Sequence, residues 1–109
     1  MKQLQSDVQM LVCAEYDRAK EKFGASNNSP HESYAVIKEE REEAQDEAYE
    51  FDVFEADYWN AVKKNDTESQ TKLLRAMQDR AEKAAAEWIQ VAAMCYKATI
   101  KREQDGGAE

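Results

Sequence analysis

Glu40, Glu43 and Glu47 are the residues of this chain whose type and spacing most plainly suit chemistry. They sit in the stretch SPHESYAVIKEEREEAQDE, Ser29 to Glu47. On a 3.6-residue helix Ser33, Val36, Ile37, Ala44, Ala48 and Phe51 share one arc, and the three glutamates fall inside it. Carboxylates three and four positions apart on one face can converge on a single cation. An all-oxygen donor set suits Mg²⁺ or Mn²⁺ rather than Zn²⁺. Half-buried without a cation, such carboxyls would be pushed toward protonation and would cost stability. Glu39, Glu42, Asp46, Glu50 and Asp57 lie on the opposite side, where solvation explains them. The competing reading is an ordinary glutamate-rich surface helix.

The elements that must position these residues are helices. A third of the 109 residues are charged, while three glycines and one proline are all the chain has to break helices. That balance predicts an all-α fold of three or four long helices. The length suits one modest core, read as a single helical domain over residues 1–102 with a disordered tail at 103–109. The second helix begins with Ser29 as N-cap, Pro30 at the first helical position and Glu32 completing a capping box. It is expected over 30–64, with a break near 50–57 as an alternative. Phe51, Phe54, Tyr58, Ala61 and Val62 continue its apolar arc. His31 falls in its first turn without metal-ligand spacing around it. Tyr49, Val53 and Trp59 lie off the arc and suggest a further surface, such as another subunit.

The first helix is expected over 2–22, with Leu4, Val8, Leu11, Val12 and Ala19 on one face and Gly24 as its stop. Toward its end Glu15, Arg18 and Lys22 enter the apolar line. They read either as solvated ion pairs or as groups lining a polar cavity, where Arg18 and Lys22 would suit an anionic ligand. The third helix is expected over 67–101, opened by a capping-box pattern at Thr67 and Gln70. It becomes apolar almost all round within AAAEWIQVAAMCY, as a central helix would. Cys13 and Cys95 lack metal or redox spacing and read as reduced core thiols.

Two segments, KFGASNNSPHESYAVIKEEREEAQDE and AEWIQVAAM, resemble the MazG-like all-α nucleoside triphosphate pyrophosphatases, in particular their small phage and bacterial members. The resemblance covers roughly residues 22–96. It implies hydrolysis of NTP or dNTP to monophosphate and pyrophosphate, with Mg²⁺ bound by an E-x-x-E on one helix and an E-x-x-D on a later one. Glu40 and Glu43 match the first motif, with Glu39 as its neighbouring glutamate. Glu87 matches the start of the second, and Gln90 stands where the family has aspartate. The interval between the motifs is longer than is usual there.

On this resemblance Glu40, Glu43, Glu87 and Gln90 would make the metal site. Glu47 would be a further ligand or the base that activates water; a core-flanking ion pair fits it equally. Lys97 and Lys101 could meet the polyphosphate, although cations in a last helical turn complement the macrodipole in any case. Trp59 or Trp88 could stack on a base, with core packing the better expectation for aromatic residues in a helical stripe. Assembly as a homodimer or tetramer is implied as well. The alternative function is a non-catalytic helical adaptor or regulatory protein with a degenerate metal site.

The formal charge of −8 disfavours nucleic-acid polymers and anionic membrane surfaces as partners. The sequence begins with no signal-like apolar run, which makes the cytoplasm the expected compartment.

Overall fold

A computed structural model describes residues 1–100. The chain is all-helical over that range: α1 runs Lys2–Phe23, α2 Pro30–Lys63 and α3 Thr67–Thr99. α2 passes through Glu50 to Asp57 without a break. Lys101 and the tail from residue 103 lie outside the described residues. No described helix is long and apolar enough to cross a membrane.

Helix ends are set by local chemistry. Ser29 Oγ accepts the Glu32 backbone N–H at 3.1 Å, a cap that contributes about 1 kcal/mol. The Glu32 carboxylate accepts in turn from the Asn28 side chain at 3.0 Å. Gly24 closes α1 at φ 94°, where a side chain would be strained, and its N–H bonds Lys20 O at 2.9 Å. The start of α3 departs from expectation. Asp66, not Thr67, is the cap: its carboxylate accepts the Ser69 N–H at 3.1 Å and the Ser69 hydroxyl at 2.6 Å. An aspartate one residue upstream outcompetes a threonine because its two oxygens take both donors.

The helices sort into two compact units. One comprises Glu42–Glu87, an antiparallel hairpin of the second part of α2 and the first part of α3. Asn65 turns it in the left-handed region at φ 55°, a conformation asparagine tolerates. Gln70 Nε2 donates to Ala61 O at 3.3 Å beside the turn. Along α2 the inner face carries Ala44, Glu47, Phe51, Phe54, Tyr58 and Ala61. α3 answers with Leu73, Met77, Arg80, Ala84 and Glu87, a 3.5-residue period that keeps the seam in register.

The other unit comprises Met1–Arg41 and the chain from Trp88 onward. Its buried side chains are Asn27, Val91, Ala93, Met94 and Lys97. Tyr16 packs edge-on against Tyr96 with ring centroids 4.9 Å apart. α1 has no fully buried residue, and of the face expected to enter a core Val8, Val12 and Ala19 reach only half burial. Leu4 and Leu11 are both exposed. Cys13 and Cys95, expected as core thiols, are free and exposed for the same reason: the described core is too small to reach them. Trp59 and Trp88, expected in the core stripe, are exposed too. Each follows an inner-face residue, Tyr58 or Glu87, and so points roughly 100° away from the seam.

Candidate metal centre

Within the hairpin unit Glu43 and Glu87 meet across the seam, and their carboxyls interact directly. Glu40 lies one turn before Glu43 on the same unbroken helix, which fixes the pair by local geometry alone. Glu40, Glu43 and Glu87 each offer a carboxylate oxygen, and these oxygens lie within 4.8 Å of one another. Glu40 and Glu87 are half-buried and Glu43 is exposed. Three carboxylate oxygens gathered in one place are the hard, all-oxygen donor chemistry that Mg²⁺ or Mn²⁺ takes.

The electrostatics mark the same place. The Glu87 carboxyl is held above its ordinary value, first by burial, then by the charge of Glu43 and a hydrogen bond to it, and finally by the charge of Glu47. The native state therefore keeps that proton to higher pH than the unfolded chain does. It binds more protons across the window between the two values, so stability falls as pH rises through that window and levels above it. Asp66 acts with the opposite sign. Its carboxyl is held below the usual range by the Ser69 hydroxyl and then the Ser69 N–H, so its stabilisation is present at neutral pH and is lost on acidification. In metal-free buffer the melting temperature is expected to decline as pH rises above the usual glutamate range. Glu87→Gln should flatten that part of the profile; an unaltered slope in the variant would rule out Glu87 as its source.

Glu47, one turn beyond Glu43, is tied down by Arg80, whose Nη1 lies 3.1 Å from Glu47 and 2.9 Å from Glu50. The hydrogen bond to Glu47 is the main reason that this guanidinium is held even more firmly protonated than usual. Arg80 was not singled out by sequence, yet a signal exists: it lies one heptad before Glu87 and so faces the same seam.

Gln90, Arg18, Lys22 and Lys97 lie in the other unit. Gln90 Nε2 donates to Glu15 Oε2 at 2.5 Å. Arg18 also pairs with Glu15, so one half-buried carboxylate of α1 collects both groups. Lys22 and Lys97 both approach the Phe23 ring, with Nζ 5.4 and 5.9 Å from its centroid. Lys97 is only 5% exposed, which its expected place at a solvated helix end does not explain. Its four-carbon stem lies inside while its head group sits against an aromatic face. The expected partner Lys101 lies outside the described residues. Trp59 receives Lys63 at 5.8 Å. Neither a family model, nor a curated protein, nor a solved structure matches this chain.

Proposed function

We propose that this protein is an Mg²⁺-dependent nucleotide pyrophosphohydrolase of MazG-like type, active in the cytoplasm on an NTP or dNTP. The observation that carries the reading is the convergence of Glu40, Glu43 and Glu87 from two helices, with the Glu87 carboxyl raised by its neighbours. A cluster that destabilises itself when ionised is one that a cation relieves.

Glu40, Glu43 and Glu87 would hold the ion. Once bound, Mg²⁺ supplies positive charge to phosphate oxygens and lowers the barrier to attack at the α–β anhydride. The chain's own contribution is positioning. Arg80 fixes Glu47 at one end of the carboxylate strip, where Glu47 can accept a proton from water or steady the ligands.

One observation favours a second reading, a non-catalytic adaptor that kept the helices. Gln90 stands in the position of an acidic ligand and hydrogen-bonds Glu15. Incubation with a panel of NTPs and dNTPs plus Mg²⁺ or Mn²⁺ separates the two. The enzyme reading expects pyrophosphate from at least one nucleotide and a rise in melting temperature with metal. Absence of both turnover and a metal-induced thermal shift would sink the enzyme reading and leave the adaptor with its degenerate metal site.

A further inference from the structure

The two helices of the hairpin unit handle their charge differently. On α3 exposed charges pair along the helix, Lys72 with Glu68 at 3.4 Å and Lys83 with Asp79 at 3.2 Å. On α2 the stretch from Glu42 to Val62 has eight acidic residues and no basic one. Arg80 meets Glu47 and Glu50. Asp46, Asp52 and Asp57 have no ion pair among the described residues. Glu42, Asp46 and Glu50 follow at spacings of four, where like charges repel. The middle of this outer side is apolar. Val53 lies nine residues from the buried Ala44, half a turn round the helix from it. Tyr49, Val53 and Ala56 follow at spacings of four and three and are all exposed, Tyr49 at 74% and Val53 at 58%. Asp46 and Asp57 flank that strip on one side and Asp52 on the other. A hollow of about 430 Å³ beside Tyr49 is walled by Glu42, Asp46 and Asp52, all in one unit.

We propose that this face of α2 docks a basic amphipathic segment of another protein, with aliphatic side chains on the Tyr49, Val53 and Ala56 strip and Lys or Arg side chains against Asp46, Asp52 and Asp57. Charge selects the occupant. Nucleic acid and anionic membranes are repelled, and so is the same face of a second copy. No described helix of this chain carries the complement, since α1 has four basic and four acidic residues and α3 five and four. An apolar strip alone chooses no partner. Carboxylates on both of its sides do, because they steer a cationic segment in and fix its register while the strip supplies the anchor. A guanidinium entering the hollow can also lie over the Tyr49 ring. The inference is independent of the metal centre, where Glu43 meets Glu87 at the seam.

Fluorescence anisotropy with the full chain and a labelled amphipathic peptide of leucine and lysine tests it, beside a peptide of the same composition in scrambled order. The patterned peptide is expected to bind and to be weakened by salt. Val53→Ser, and Asp46→Asn combined with Asp52→Asn, are each expected to weaken it at least about tenfold with helical circular dichroism kept, since all three residues are exposed. Asp7→Asn combined with Asp17→Asn removes the same charge from exposed positions of α1 and should change binding by no more than about twofold. No binding, equal binding of the scrambled peptide, or an equal loss in the α1 variant overturns the proposal, the last because net charge alone would then attract the peptide. If the α2 variants do not fold, carbodiimide labelling of the unmutated chain decides. Asp46, Asp52 and Asp57 are expected to be shielded by the patterned peptide, and unchanged labelling at all three refutes the docking.

Discussion

Glu43→Gln is expected to reduce metal-dependent pyrophosphate release by at least about a hundredfold while leaving the metal-free protein as stable as the parent or a few degrees more so. The two effects have one origin. Glu43 contributes both charge and a hydrogen bond to the raised carboxyl of Glu87. Glutamine keeps the shape and can donate to Glu87, so the apo cluster loses a repulsion and keeps a contact. The same change removes one of three anionic donors from the cation. Circular dichroism melts with and without Mg²⁺, run beside the turnover assay, give the result. The metal-induced rise in melting temperature should shrink in step with the activity. A variant that turns over normally would remove Glu43 from the site. A variant that melts well below the parent would show that the carboxylate stabilises the apo fold, contrary to the electrostatics.

The largest stability effect is expected at Ala44. It is 0% exposed on the inner face of α2, between Glu43 and Glu47. Replacing it by leucine inserts three carbons where the hairpin helices touch, and overpacking of this kind costs about 1–3 kcal/mol. The strain falls on the stretch in which Glu43 meets Glu87 and Glu47 meets Arg80. Ala44→Leu should therefore lower the melting temperature and weaken the response to Mg²⁺ together. Ala48→Leu, one turn on and exposed, is the matched control and should change stability by no more than about 0.5 kcal/mol. Equal melting of the two variants would show that the seam at Ala44 is looser than its burial implies.

Much of the architecture was legible from composition: few breakers and a high charge content give helices, and the chain is all-helical over its described length. Phase along one helix was legible as well, because periodicity fixes which residues share a face. It put Glu40, Glu43 and Glu47 on the arc of Ala44; Ala44 is fully buried and Glu40 and Glu47 are half-buried, whereas Glu43 and Ala48 of the same arc are exposed. Contacts between helices were not legible. Nothing in the spacing of α2 selects Arg80 as the partner of Glu47, because that pairing depends on the register in which the hairpin closes. Gln90 illustrates the same limit: its neighbour Glu15 is 75 residues away. Apolar periodicity in α1 marked a face that seeks cover, but a stripe does not say whether its cover comes from the same chain. That is why Leu4 and Leu11 read as core and are exposed.

The tight turn around Asn65 also bears on the order in which the molecule can assemble. Gln70 reaches Ala61 across nine positions, whereas Gln90 reaches Glu15 across seventy-five. Loop-closure entropy grows as (3/2)RT ln n, so the longer closure costs about 2 kcal/mol more than the shorter one. The hairpin can zip outward from its turn in small steps, drawing Arg80 to Glu47 and then Glu87 to Glu43. The acidic pair thus belongs to the part of the chain that is cheapest to close. Its repulsion acts on the last rungs of that zipper, where a cation would count most.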